Sequence, residues 1–227
     1  MKKNPFWYYS VRGAFAVLGR VLGRMGIAGR GNVPKDGACI LVSNHLSHLD
    51  PPLIAAASPR YVFFMAKDEL FRAPLVGPFL RAIGTFPVKR GTADRAALRR
   101  ALQTLEAGEV LGMFPEGHRS EDAHLQVGEE GVGLIALRSR APIAPIGITG
   151  TQTVLPPHSV RLRFGRIAIR VGRPFTLDDL YGSTDRNTVV EATRRVMAAI
   201  AALLPPEYQP AAPSEPVMPP ESAEASR

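Results

Sequence analysis

The chain has 227 residues, of which 45% are hydrophobic, enough for one domain with a buried core and some appendages. A single cysteine, Cys39, excludes an internal disulfide framework and suits a cytosolic redox setting. The formal charge is +8, yet residues 205 to 227 hold four glutamates against one arginine, so the rest sits at +11 and favours an anionic partner: nucleic acid, a phospholipid surface or a phosphorylated substrate.

Lys2 and Lys3 precede Phe6, Trp7, Tyr8 and Tyr9. Val11, Phe15, Leu18, Leu22 and Met25 then recur at steps of four and three, the stripe of an amphipathic helix, widened by Val17, Val21 and Ile27. Arg12, Arg20, Arg24 and Arg30 break the apolar run well short of the roughly 20 residues that a membrane-spanning helix needs. No small-x-small site follows to mark a cleavable signal. Residues 1–30 are therefore expected to be an amphipathic, membrane-associating helical segment, with docking on the protein's own core as the competing use of the stripe.

Turn-forming residues at 31–38 lead into an apolar run from Cys39 that reads as a short buried strand. Where it ends stand Asn44, His45, Leu46, Ser47, His48, Leu49 and Asp50, followed by Pro51 and Pro52. His45 and Asp50 are five apart, so a loop running into a helix start can bring imidazole and carboxylate together, leaving the second ring nitrogen free to take a proton from a hydroxyl. Two other readings compete: a helix cap by Ser47 or Asn44, and a metal site from His45, His48 and Asp50. Ser47 as a nucleophile is disfavoured because no Gly-x-Ser-x-Gly elbow surrounds it.

Leu53 to Ala57 can form a short helix, Tyr61 to Met65 a strand, and Lys67, Asp68, Glu69 and Leu70 look like the start of a further helix that Pro74, Gly77 and Pro78 interrupt. Phe86 to Val88 ends in Lys89, Arg90 and Gly91, a cationic pair able to clamp a phosphate. Thr92 can cap a helix whose buried stripe ends at Leu105 and which Gly108 stops. Residues 110–114 form a third strand-like run, delivering Pro115, Glu116, Gly117, His118, Arg119 and Ser120. Here Gly117 can present an N–H to an anion, Arg119 supplies a fork of donors, and Glu116 can fix the arginine or accept from a substrate hydroxyl.

A helix is expected around residues 134–137, and a strand over 143–150 made irregular or edge-like by Pro142 and Pro145. Residues 160–164 and 167–171 read as a hairpin around Gly165 and Arg166. A last helix runs from about 184 to 204. The tail at 205–227, rich in Pro, Ala and Glu, has almost nothing to bury and is expected to be disordered. The pattern predicts an α/β fold over residues 31–204, a mixed, largely parallel central sheet flanked by helices.

No dinucleotide fingerprint, P-loop, zinc finger or nucleic-acid-binding module is present, so nucleic acid is not the expected partner. The polar clusters instead resemble the motifs of the glycerophospholipid acyltransferase family. Asn44-His45 through Asp50 is similar to its first motif, Gly84 through Arg90 to its second, Phe114-Pro115-Glu116-Gly117 through Ser120 to its third, and Ala141 through Gly150 to its fourth. His118 stands where the family usually has threonine, and Glu129 and Glu130 where it is more basic. The resemblance implies an enzyme that moves an acyl group from acyl-CoA or an acyl-carrier-protein thioester to a glycerol phosphate lipid precursor, most simply 1-acylglycerol 3-phosphate. It implies His45 as general base with Asp50 orienting it, and Arg90, Glu116, Gly117 and Arg119 as the acceptor-phosphate site. It further implies no metal or other cofactor, and a peripheral or monotopic place on the anionic cytoplasmic side of the cell membrane. The alternatives are a metal-dependent hydrolase and a non-enzymatic protein that binds anionic membrane or nucleic acid.

Overall fold

A computed structural model of the chain describes residues 3–89 and 94–210. The expectations placed on Arg90, Gly91 and Thr92, and on the tail beyond residue 210, lie outside the described residues.

The sheet is built on β2 (Cys39–Ser43), whose five residues are all buried. It lies between β5 (Val110–Met113) and β6 (Ile143–Thr149), parallel to both, which leaves it no solvent face and explains its unbroken apolar run. Beyond β5 come β3 (Val62–Lys67) and β4 (Thr85–Val88), also parallel. Beyond β6 come β7 (Ala168–Val171), antiparallel to it, and the three-residue β1 (Gly26–Ala28), parallel to β7. The order is β1-β7-β6-β2-β5-β3-β4, the mixed and largely parallel sheet that the pattern predicts. Val42 pairs with Met113 and Ser43 with Ile146, so β2, β5 and β6 reach the same sheet edge together. Loops that leave three parallel neighbours at one edge converge, however far apart they lie in sequence.

On one face α1 (Pro5–Gly23) packs against α2 (Asp50–Ala57); the other carries α4 (Arg95–Glu106), α5 (Gly131–Ser139) and α7 (Arg186–Ala201), with the short α3 (Val76–Ala82) beside β4. The opposite placement of α2 and α5 follows from right-handed crossovers that leave β2 and β5 in opposite directions along the sheet. Asp94 caps α4, its carboxylate accepting from the N–H groups of Ala96 and Ala97 at 3.0 Å.

α1 begins at an Asn4 cap with Pro5 in its first turn. Its apolar stripe is docked: Phe15, Leu18, Leu22 and Met25 pack on the core. Gly19 and Gly23 let the helix close on Leu53 and Ile167, where a Cβ at either position would collide. Tyr8 is buried, stacks on Tyr61 with centroids 3.8 Å apart, and its hydroxyl accepts the N–H of Val62 at 2.8 Å. The apolar side chains that face away from the domain are Phe6, 74% exposed, and Trp7, Val17 and Val21. The stripe thus serves the core, and the residues flanking it are what remain for another surface.

Two local readings are corrected. For β6 the irregular alternative holds and the edge-like one does not: the strand is interior, and Pro145 sits in a break in its pairing to β7, between the Ile143–Phe175 bridge and the Ile146–Val171 pair, where its missing donor interrupts no ladder bond and its carbonyl accepts from Gly172 at 2.8 Å. The hairpin does not form, since β7 already has a neighbour on each side, so residues 160–164 run as exposed irregular chain.

Replacing Tyr8 by Phe keeps the stacked ring but leaves the buried Val62 N–H without its acceptor. The variant is expected to lose about 1–3 kcal/mol in urea unfolding; an unchanged midpoint would show that this hydrogen bond does not hold α1 to the sheet.

Candidate active site

Asp50 is the first residue of α2 and is fully buried. Its Oδ2 accepts the backbone N–H groups of Leu46 at 2.6 Å and Ser47 at 2.7 Å, and lies 2.8 Å from Nδ1 of His45. An oxygen already accepting twice requires the third partner to be a donor, so the ring hydrogen sits on Nδ1 and Nε2 carries a free lone pair. The N–H of Asp50 returns to the carbonyl of Ser47 at 3.1 Å, closing a tight turn around the carboxylate. Prolines at the next two positions fit this arrangement, because the first turn of a helix needs no N–H from them.

The histidine loop is tied to both neighbouring strands. The Asn44 side chain accepts the N–H of Ile148 and donates to its carbonyl, each at 2.9 Å, continuing the β2–β6 pairing by a side chain. On the β5 side, the N–H of His45 donates to Glu116 Oε1 at 2.6 Å, and the His45 carbonyl accepts from Ser120 at 2.8 Å. The Ser47 hydroxyl donates to the Leu155 carbonyl at 2.9 Å, which gives it a fixed structural partner. The His45 ring, 8% exposed, lies on Phe114 with centroids 4.1 Å apart. Asn44 and Phe114 stand at the heads of two of the family-like motifs, but the residues alone give neither its contact: the side-chain tie of Asn44 to Ile148 and the stacking of Phe114 on His45 depend on apolar runs that become neighbouring strands.

Glu116 departs from its expected use. It is buried, and its other oxygen accepts the N–H of Gln126 at 2.9 Å, so it fixes neither Arg119 nor a substrate hydroxyl but joins two loops. Burial pushes its carboxyl up to about 7, against the opposing pull of the Gln126 and His45 N–H groups. Gly117 is likewise taken up by the fold: its φ of 71° turns the chain, its N–H donates to the Phe114 carbonyl at 3.1 Å, and the Glu129 carboxylate packs where a Cβ would stand. Neither residue offers a free group to a phosphate.

Arg119 is half-buried beside the histidine loop. Partial desolvation, helped by the Arg119 and His45 charges, lowers the pKa of His48. His45 Nδ1 and Asp50 Oδ2 bond to each other instead of converging on a common point with His48. No group of three or more His, Cys, Asp or Glu among the described residues is placed to hold a metal ion. Behind Phe114 opens a cleft of about 710 Å³ between α4 and α5, with Met65, Leu98, Met113, Leu134 and Ile135 in its apolar lining. That volume lies within the roughly 300–1,000 Å³ of small-molecule sites.

The profile of the acyltransferase family matches residues 24–149. The chain is 30% identical over 176 residues to the chloroplastic 1-acyl-sn-glycerol-3-phosphate acyltransferase BAT2 of Brassica napus, a match over 75% of this chain and 51% of that protein, so the chain spans about half that relative's length. It is 29% identical to the 1-acyl-sn-glycerol-3-phosphate acyltransferase of Bacillus subtilis, over 71% of this chain and 78% of that one. Among solved structures it superposes on the 1-acyl-sn-glycerophosphate acyltransferase PlsC of Thermotoga maritima with a TM-score of 0.71 and 25% identity, covering 86% of this chain and 79% of that chain.

The raised Glu116 pKa makes stability depend on pH with a definite sign. A carboxyl whose folded pKa of about 7 lies above its ordinary 4.5 contributes fully below 4.5, and loses that contribution as the pH rises toward 7. Compared with Glu116→Gln, which cannot titrate, the wild type is expected to lose up to about 3 kcal/mol between pH 4 and pH 8. Urea unfolding of both proteins across that range checks it, and a constant difference would place the ionisation of Glu116 elsewhere.

Proposed function

Because the chain belongs to the family of 1-acylglycerol-3-phosphate acyltransferase-like proteins, we propose that it transfers an acyl group from an acyl-CoA or acyl-carrier-protein thioester to a hydroxyl of a glycerol phosphate lipid, most simply 1-acylglycerol 3-phosphate. The observation that carries this reading is the triple occupation of Asp50 Oδ2, which commits the Nδ1 hydrogen of His45 and leaves Nε2 as a base. Nε2 takes the proton of the acceptor hydroxyl as its oxygen attacks the thioester carbonyl carbon. When the tetrahedral intermediate collapses, the C–S bond breaks and the imidazolium returns the proton to the departing thiolate. No acyl-enzyme is needed, since the acceptor oxygen is itself the nucleophile. The ring of Phe114 forms a wall common to His45 and the apolar cleft, so an acyl chain lying in that cleft brings its carbonyl to the base.

Arg119 and Arg90 bind the acceptor phosphate in this account, while Glu116 and Gly117 set the loop that carries Arg119. The catalytic unit is residues 31–204, and α1 lies along an anionic leaflet on the cytoplasmic side through its outward Phe6, Trp7, Val17 and Val21. No helix among the described residues is long and apolar enough to cross a membrane, which supports a peripheral attachment.

His45→Ala is expected to lower kcat/KM for acyl transfer by about 10²–10⁴-fold or more in a folded protein. Asp50→Asn should fall between that variant and wild type, because the amide oxygen can still accept from Leu46 and Ser47, and His48→Ala should be milder still. Near-wild-type turnover by His45→Ala, measured as thiol release, would remove the base.

Arg119→Ala and Arg90→Ala should each raise KM for a phosphorylated acceptor by about 10- to 150-fold, the loss of one charge-assisted hydrogen bond. Neither should change KM for the thioester by a comparable factor. Acceptor kinetics that stay at the wild-type value would take the corresponding arginine out of the phosphate site.

A further inference from the structure

The irregular segment between α6 (Thr151–Val154) and β7 has no part in the proposed chemistry, yet it is unusual in composition and exposure. Val160, Leu162 and Phe164 alternate with Arg161 and Arg163, and Arg166 follows. Val160 is 95% exposed, Phe164 80% and Leu162 45%, three large apolar side chains within five residues. Water-facing apolar groups at that density mark a contact surface, since solitary ones are ordinary and clustered ones are not.

The segment's two ends fix where this surface lies. At its start the Leu155 carbonyl accepts the Ser47 hydroxyl at 2.9 Å, so the chain leaves directly from the histidine loop. At its end the N–H of Gly165 donates to the Leu22 carbonyl at 2.9 Å and that of Ile167 to the Gly23 carbonyl at 2.7 Å, joining it to the last turn of α1. That turn presents Arg20 and Val21, both exposed, with Val17 one turn earlier and Arg24 just beyond. Exposed apolar groups and arginines therefore run continuously from α1 to the edge that holds His45. None of Arg20, Arg24, Arg161, Arg163 and Arg166 forms a salt bridge with a carboxylate among the described residues.

We infer that residues 156–166 are a second bilayer-contacting element, which together with the outward side of α1 forms one surface for an anionic lipid leaflet and holds the His45 edge against it. The chemistry favours a lipid surface over a protein partner. Arginine side chains can lay their stems along acyl carbon while the guanidinium reaches phosphate, and the apolar side chains between them enter the headgroup boundary. A leaflet also matches the excess of cations without requiring a shaped partner. The inference rests on the reading that the acceptor is a membrane lipid, though vesicle binding can be measured whether or not turnover is found.

The full-length protein, Leu162→Ser/Phe164→Ser and Arg161→Gln/Arg163→Gln should be compared by co-sedimentation with vesicles of equal phosphatidylglycerol and phosphatidylcholine, and with vesicles of phosphatidylcholine alone. Val190→Ser, on the exposed side of α7 across the sheet, is the control. The apolar double variant is expected to partition about tenfold or more weakly onto both vesicles, and the arginine variant to lose affinity for the anionic vesicles only, with the control unchanged. Turnover separates this from the catalytic reading. The apolar variant should keep wild-type kcat/KM on a short-chain acceptor dissolved below its micellar concentration, and lose about tenfold on the same headgroup presented in vesicles. Wild-type partitioning by both variants would overturn the inference, as would a wild-type dimer by light scattering that Leu162→Ser/Phe164→Ser dissolves, which would make a second copy the occupant. Absence of turnover in the wild type would defeat the catalytic proposal and leave the vesicle result to decide this one.

Discussion

One carboxylate oxygen organises the site. Asp50 Oδ2 gathers two backbone N–H groups and an imidazole within 2.8 Å, at the buried start of a helix. The same contacts that shape the chain from residue 46 to residue 50 also fix the rotamer and tautomer of His45. Orientation of the imidazole is thus a consequence of folding the turn, and in the proposed role of base it needs no further ordering when substrate arrives. The cost is a rigid requirement: any side chain at position 50 that cannot accept from both amides disturbs the turn as well as the base.

The turn in turn depends on the strand order. Because β2 lies between β5 and β6, its loop touches the end of strand β6 and the loop after β5, and each contact is a hydrogen bond across a large sequence interval: Asn44 with Ile148, His45 with Glu116 and Ser120. Glu116 is the least comfortable member. It trades solvent for two backbone N–H groups, and burial outweighs them enough to raise its pKa to about 7. A buried carboxyl of that kind is kept where it satisfies two otherwise unpartnered amides, those of His45 and Gln126.

What the sequence made legible followed from local pattern. The buried strand before His45, the five-residue interval to Asp50 and the prolines behind it pointed to a turn entering a helix, and that is the geometry found. Four ordered motifs gave the family resemblance, and strands alternating with helices gave the parallel sheet. What stayed hidden depends on partners remote in sequence. A glutamate between proline and glycine reads as a partner for Arg119 or a substrate hydroxyl until the histidine loop is seen covering it. Pro142 and Pro145 read equally as an irregular or an edge-like ladder until Pro145 is seen between the Ile143–Phe175 bridge and the Ile146–Val171 pair of an interior strand. The alternation at residues 160–164 has strand periodicity, but β7, its expected partner, is already paired on both sides, and β1 is too short to give a periodic signal.

The N-terminal helix is two-sided: its stripe closes on the core through Tyr8, Gly19 and Gly23 while Phe6, Val17 and Val21 face away, the arrangement that the proposed lipid-surface reading requires. The central claim, however, is the commitment of the Nδ1 hydrogen by Asp50. It is tested most directly by two-bond ¹H–¹⁵N correlation of histidine-labelled protein at a pH where His45 is neutral. The account predicts a protonated Nδ1 and a bare Nε2 for His45 in the wild type, with that preference weakened in Asp50→Asn. A neutral ring carrying its hydrogen on Nε2 would contradict it, since no lone pair would then face the acceptor hydroxyl.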